Sequence, residues 1–235
     1  MKVVILAGGK GRRLYPYTVV LPKPLMPIGD FPILEVILRQ LKSYDLTDIT
    51  LAVGHLGNLI QTFFADGSKW GVNIQYSFED KPLGTVGPLT CLKDLKQTFM
   101  VMNGDLLTTL NYLHLIEYHK EHKAIATIAS QKRSVDVDFG IIQKDQNERM
   151  VKYIEKPRLS YLVSMGIYLF EPEILDFIPQ GEKLDFPDLM QILLQKNQKV
   201  AIYDSSDFWL DIGRPDDYQK AVEEFEKNRK RFLSE

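Results

Sequence analysis

The sequence predicts an α/β protein, a single domain over residues 1–235 with three α/β/α layers around a mixed, mostly parallel sheet. Two patterns and two quantities predict it. Through the first half, short apolar runs alternate with stretches of helical periodicity, the rhythm of parallel β-α-β units. Through the second half, strand-like runs follow one another with few helices between them, so some must pair antiparallel. The length of 235 residues and the 45% apolar content suit one sizeable core and require no second.

Val3 to Leu6 opens the chain as a short buried strand. Pro32 to Tyr44 carries Ile33, Val36, Ile37 and Leu41 on one helical face, with Pro32 suited to a first turn. Strands are expected at 49–53, 72–78 and 98–102, with helices at 58–65, 85–95 and 110–122. Further strands are expected at 124–130, 140–143, 151–155 and 163–170. A helix at 185–195 is started by Asp185 or Pro187, a last strand covers 199–203, and a charged helix from about Pro215 to Phe232 ends the pattern. In such a sheet ligands gather at the carboxyl ends of the strands, which puts residues 8–13 and 103–105 on one rim.

Charge and cysteine content narrow the partners. A net charge of −2 gives no reason to expect nucleic acid or an anionic membrane, so an anionic ligand must be met by local cations. The single cysteine, Cys91, excludes an internal disulfide framework and is expected simply to pack, which fits a reducing cytoplasmic setting. No apolar stretch reaches membrane-spanning length, and the N-terminal apolar run stops at glycines too soon for a secretory signal. The histidines His55, His114, His119 and His122 have no zinc spacing and are expected on the surface or in packing.

The chemistry concentrates in residues 3–27, VVILAGGKGRRLYPYTVVLPKPLMP. Gly8, Gly9 and Gly11 strip side chains from the end of the first strand and let the backbone approach a ligand. Arg13 and Lys23 can aim two cations into that space, which suits a polyphosphate. Two common glycine motifs fail here. A dinucleotide-binding G-x-G-x-x-G starting at Gly9 would need a small residue where Leu14 stands, and a phosphate loop would need Gly-Lys-Ser/Thr where Gly11-Arg12-Arg13 stands.

The stretch does resemble the signature of the sugar-1-phosphate nucleotidyltransferases, L-A-G-G-x-G-x-R-L-x-P-x-T followed by P-K-P. Leu6 to Thr18 and Pro22 to Pro24 match it, with Arg12 standing where many relatives carry a small hydroxylic residue. The resemblance covers nearly the whole chain and implies a Rossmann-like fold. The left-handed β-helix into which several relatives continue has no counterpart in the sequence. It implies that Leu6, Ala7, Gly8, Gly9, Gly11, Arg13 and Lys23 bind a nucleoside triphosphate. Asp105, closing Val101-Met102-Asn103-Gly104-Asp105, is implied to hold Mg²⁺ beside that nucleotide. Asp211, in Phe208-Trp209-Leu210-Asp211-Ile212-Gly213, is implied to be the second metal ligand.

The same resemblance assigns Asn103, Gly140, Glu155, Lys156 and Ser164 to the sugar 1-phosphate, with Lys156 of the Glu-Lys-Pro element on its phosphate. Strand alternation would send Glu155 and Lys156 to opposite faces, so a twist or bulge is expected beside Pro157. Residues 78–87, with Glu79, Pro82, Gly84 and Thr85, are expected to read the base. The reaction needs no side-chain nucleophile, because a sugar-phosphate oxygen is already anionic near neutral pH, its second pKa being about 6. Positioning, cations and carboxylate-held Mg²⁺ suffice, which fits the lack of any Ser/His/Asp or Cys/His grouping.

GTP is the expected donor. A carboxylate such as Glu79 can accept from guanine's adjacent ring N–H and exocyclic amine, whereas uracil and thymine present one donor between two acceptors. The Pro-Leu-Gly-Thr turn also most resembles the guanylyl members, which use mannose- or heptose-type phosphates. The alternatives are a uridylyl- or thymidylyltransferase acting on another sugar 1-phosphate, and a regulatory protein that binds a nucleotide or sugar phosphate without catalysis. The sequence leaves oligomeric assembly open.

Overall fold

A computed structural model of the chain describes residues 1–79 and 81–233. Its strands are β1 (Lys2–Ala7), β2 (Pro27–Ile28), β3 (Phe31–Pro32), β4 (Asp48–Val53), β5 (Asn73–Phe78), β6 (Phe99–Asn103), β7 (Leu106–Thr108), β8 (Ala126–Asp136), β9 (Ile141–Lys144), β10 (Met150–Ile154), β11 (Arg158–Phe170), β12 (Val200–Ser205) and β13 (Trp209–Asp211). The helices are α1 (Ile33–Ser43), α2 (Gly57–Phe64), α3 (Tyr112–His122), α4 (Phe186–Gln195), α5 (Pro215–Lys227) and the short α6 (Arg229–Phe232).

The central sheet has seven strands in the order β12-β8-β11-β6-β1-β4-β5. β1 pairs in parallel with β4 and β6, as do β4 with β5 and β8 with β12. Only β11 runs against its neighbours β6 and β8, which makes the sheet mixed as the sequence predicts. Side-chain alternation along β1 explains the layers. Val3, Ile5 and Ala7 join a buried cluster with α1, α2, α3 and α5, while Val4 joins a second cluster with α4 on the opposite face. Local sequence starts these helices in recognisable ways. Asn111, for example, accepts from the N–H groups of Leu113 (3.0 Å) and His114 (3.2 Å) and so caps α3.

Three expectations change. No helix forms over 85–95; a short 3₁₀ turn at Gly87–Cys91 stands there instead. The N–H groups of Val86 and Gly87 that would have entered a helix donate to the carbonyl of Leu184 (3.1 and 3.4 Å). Cys91 therefore ends a turn and is exposed rather than packed. The C-terminal helix breaks at Asn228, which separates α5 from α6.

β8 and β11 also run further than the sequence pattern suggests. Their outer halves pair from Ser130/Ser164 to Asp136/Arg158 and form a ribbon beyond the sheet, flanked by the β9–β10 hairpin. Among the described residues no helix is long and apolar enough to cross a membrane.

Candidate active site

The parallel strands β1, β4, β5 and β6 end on one rim, and three of those ends meet there. Gly104 N–H donates to Leu6 O (2.9 Å), tying the β6 end to β1. His55 N–H donates to Gly8 O (3.3 Å), tying the β4 end to the glycine loop. A Cβ on Gly54 would sit 3.0 Å from Gly8 O, so this close approach depends on glycine. Gly11 takes a left-handed conformation (φ 59°) just before a 3₁₀ turn at Arg12–Leu14. Leu14 is fully buried and Thr18 Oγ1 donates to Gly11 O (2.9 Å), so the loop folds back with Arg13 held near its apex.

Lys23 begins its own 3₁₀ turn, is buried, and its ammonium forms an ion pair with Asp105 Oδ2. Asp105 occupies the tight turn between β6 and β7. Its other oxygen, Oδ1, is buried and has no hydrogen-bond partner among the described residues. A carboxylate oxygen stripped of water and left unpaired is costly unless a cation meets it.

Asp211 reaches Asp105 through a pairing no local pattern reveals. β13 runs antiparallel to β7 with Asp211 opposite Leu106, and Ile212 N–H donates to Asp105 O (3.0 Å). Burial raises the pKa of Asp211, and the charge of Asp105 raises it further, while Lys23 and Arg13 pull it down. The position of Gly213 shows how close these groups lie. A Cβ there would sit 3.3 Å from Asp211 Oδ2 and 3.4 Å from each terminal guanidinium nitrogen of Arg13.

Two carboxylates and two cations thus converge at the strand ends. Two hard oxygen donors beside a glycine loop are a donor set that suits a hard cation such as Mg²⁺, whose remaining positions phosphates and water could fill. The orphaned Oδ1 of Asp105 supplies an independent reason for a cation there. Asp105 and Asp211 would hold it.

The glycine loop also meets the expected base site. A Cβ on Gly8 would come 3.2 Å from Glu79 Oε1, and Glu79 Oε2 accepts from Leu83 N–H (3.0 Å). Burial raises the pKa of Glu79 and the Leu83 N–H opposes the rise. Gly84 is left-handed (φ 79°) with a Cβ position that would collide with Leu184 O. Thr85 is bonded to Asp185 and Phe186, Pro82 is exposed, and Asp80 lies outside the described residues.

The residues expected on the sugar side fall into two groups. Asn103 lies against the β11 bulge, where left-handed Gly166 (φ 70°) leaves room for it; a Cβ there would sit 2.5 Å from Asn103 Nδ2. Ser164 closes that bulge, accepting from Gly166 N–H (3.2 Å) and donating to Tyr168 Oη (2.9 Å). Gly140, Tyr153 and Glu155 form the second group, on and beside the β9–β10 hairpin. The Tyr153 hydroxyl fills the space a Cβ on Gly140 would need and donates to Glu155 Oε2 (2.8 Å). Lys156 is exposed, makes no hydrogen bond or ion pair with any described residue, and has a left-handed backbone (φ 39°). That conformation is the break in alternation expected beside Pro157.

Sequence reasoning missed Tyr153, although its place two residues before Glu155 on one strand face was a signal. It also missed the struts of the Asp211 strand. Arg133 donates to Trp209 O (3.1 Å) and stacks over its ring, and Trp209 Nε1–H donates to Met165 O (2.7 Å).

The family model for nucleotidyl transferases matches residues 2–228. The chain belongs to this family. A UTP–glucose-1-phosphate uridylyltransferase of Synechocystis sp. is 35% identical over 94% of the chain and 62% of its own length. A mannose-1-phosphate guanyltransferase of Saccharomyces cerevisiae is 33% identical over 93% of the chain and 63% of its own length. The chain therefore spans about three fifths of the length of these curated relatives. Among solved structures, a protein provisionally described as a glucose-1-phosphate thymidylyltransferase of Bacillus anthracis, crystallised with sucrose, superposes with a TM-score of 0.76. It is 30% identical, and the match covers 95% of this chain and 94% of that one. The nucleotidyl transferase fold and the carboxylate-cation rim thus occur together in one chain.

Proposed function

We propose that this family member transfers a nucleotidyl group from a nucleoside triphosphate to a sugar 1-phosphate. The observation that carries the reading is the convergence of Arg13, Lys23, Asp105 and Asp211 at the strand ends, with Asp105 Oδ1 buried and unpaired. A phosphate oxygen of the sugar 1-phosphate attacks the α-phosphorus. A new P–O bond forms, the bond from the α-phosphorus to the α–β bridging oxygen breaks, and pyrophosphate leaves with that electron pair.

The chain's own residues supply positioning and charge. Arg13 holds the triphosphate from the folded-back loop. Lys23, buried and paired with Asp105, is the cation within reach of the same phosphates. Lys156, an exposed cation between β10 and β11, is suited to the sugar phosphate, with Glu155 held beside it by Tyr153. Mg²⁺, held by Asp105 and Asp211, would neutralise developing phosphate charge.

GTP is the donor this reading favours, and Glu79 carries that part. Its carboxylate is half-buried against the glycine loop, Oε1 faces Gly8, and Oε2 keeps a lone pair beyond the one given to Leu83 N–H. Guanine's paired donors match that carboxylate. The acceptor sugar is then mannose- or heptose-type, and the cytoplasm supplies both substrates. The named relatives divide between guanylyl and other transferases, so the base rests on Glu79 and not on similarity. The test is pyrophosphate release across a matrix of the four common NTPs with mannose, glucose and heptose 1-phosphates in the presence of Mg²⁺. Turnover with none of these pairs would overturn the reading, and turnover fastest with UTP or dTTP would overturn the choice of base.

A further inference from the structure

Leu83 and Thr85 are each held by a carboxylate, one just before the turn and one from far along the chain. At one end Glu79 Oε2 accepts Leu83 N–H, 3.0 Å. At the other, Asp185, a hundred residues away, accepts Thr85 N–H on Oδ1 (3.0 Å), with the Thr85 hydroxyl at 3.4 Å from the same oxygen. Thr85 Oγ1 in turn accepts Phe186 N–H (2.8 Å), the first residue of α4. Leu184 adds a backbone ladder, donating to Leu83 O (3.0 Å) and accepting from Val86 N–H (3.1 Å). Gly84 and Gly87 permit this approach, since a Cβ on either would collide with the carbonyl of Leu184 or Glu182.

Asp185 stands where a helix N-cap belongs, yet its side chain makes no capping bond to α4. The cap is supplied by Thr85, and the Asp185 carboxylate is turned toward the turn instead. Its second oxygen lies 3.7 Å from the ammonium of exposed Lys183. α4 does not need Asp185 for anchorage, because Phe186, Leu189 and Leu193 are buried and Phe186 stacks on Tyr168 at 4.0 Å. Removing the carboxylate therefore releases the Thr85 N–H without unseating the helix, while Leu83 and Val86 stay tied to Leu184.

The geometry points to Asp185 as a positioning residue that fixes residues 83–87 in the conformation the nucleotide requires, acting through Thr85. The inference rests on the reading of residues 78–87 as the nucleotide loop. It predicts a loss on the triphosphate side of the reaction alone. It also predicts rescue by Asp185→Asn, whose carbonyl accepts the Thr85 N–H in the same place.

The experiment compares Asp185→Ala and Asp185→Asn in the full chain, using Mg·GTP with mannose 1-phosphate and Mg·UTP with glucose 1-phosphate. Amide exchange at Thr85 is measured without substrates. Asp185→Ala should expose the Thr85 amide and raise KM for the better triphosphate about tenfold, the effect of leaving that N–H without its acceptor. KM for the sugar 1-phosphate should stay within about twofold and thermal stability close to wild type, while Asp185→Asn restores both KM and exchange protection. An unchanged triphosphate KM despite a freely exchanging Thr85 amide would overturn the proposal. So would an equal rise for both substrates, or an Asn variant as impaired as Ala. A wild type that turns over neither pair would take the proposal down with the functional reading, and intact Thr85 protection would show that the reading failed and not the hold.

Discussion

Asp105→Asn separates structural from catalytic roles at the rim more cleanly than any other single change. The variant keeps the shape and one carbonyl acceptor but removes the charge that Lys23 pairs with and that a metal would need. Losing one partner of a fully buried ion pair costs about 3–5 kcal/mol. Here the Asp105 side chain is 23% exposed and the Lys23 side chain 10%, and the amide still accepts from Nζ. The stability cost should therefore be nearer about 1–2 kcal/mol, a fall in Tm of roughly 2–8 °C for a chain of this size. A protein with an ordinary 5–15 kcal/mol of stability stays folded after that loss, so any loss of rate at 25 °C is chemical. Loss of a metal carboxylate removes several kcal/mol of transition-state charge stabilisation, or about two to four orders of magnitude in turnover. Scanning calorimetry and pyrophosphate release on the same preparation read both quantities. Turnover within tenfold of wild type would refute the shared-metal reasoning, and so would a Tm loss large enough to account for inactivity by unfolding.

Asp211→Asn should behave differently. Its raised folded pKa means the native state holds that proton more tightly than the unfolded chain, so folding loses stability as pH rises through the ordinary carboxyl range to the raised value. Ligand-free Asp211→Asn should therefore melt higher than wild type at pH 7, with the gap closing on acidification below about pH 3.9, the ordinary aspartate value, while activity is lost; a lower Tm at pH 7 would contradict this. Lys156→Ala should raise KM for the sugar 1-phosphate about tenfold or more and Arg13→Ala the triphosphate KM similarly, each a lost charge-assisted contact; exchanged effects would reverse the assignment. Glu79→Gln should cost GTP about 1–3 kcal/mol in kcat/KM and change UTP little, and equal losses on both would leave Glu79 a mere brace for Leu83.

Much of the rim was legible because the signal is local. An apolar strand that stops at glycine, as at Ala7-Gly8 and Asn103-Gly104, both ends the strand and admits a ligand, so Arg13 and Asp105 could be placed without a fold. Non-local pairing was not legible from pattern. The approach of Asp211 to Asp105 depends on three residues of β13 lying against β7, a strand too short to read, and only the family resemblance pointed to it. The 85–95 error has the same root. Val86, Leu89, Leu92 and Leu95 have helical spacing, but the partners of the Val86 and Gly87 N–H groups lie a hundred residues on, at Leu184. Tyr153 beneath Gly140 and the hold of Asp185 on Thr85 belong to the same class, cross-chain contacts between residues each unremarkable where they stand.

Departures from local rules help locate the site only in combination. Buried polar atoms without a hydrogen-bond partner among the described residues include Thr50 Oγ1, Trp70 Nε1 and Tyr112 Oη as well as Asp105 Oδ1. The first three are neutral, and each costs about 1–3 kcal/mol, which an apolar core can absorb. Asp105 Oδ1 is one half of a carboxylate whose other half already holds a buried ammonium, beside a second carboxylate whose pKa burial and that same charge push upward. Packing gains nothing from gathering those charges, and hydrophobic residues of equal volume would serve the fold as well or better. The rim keeps them at a cost in stability, and in the proposed reaction that cost would be recovered when a cation and phosphates enter between them.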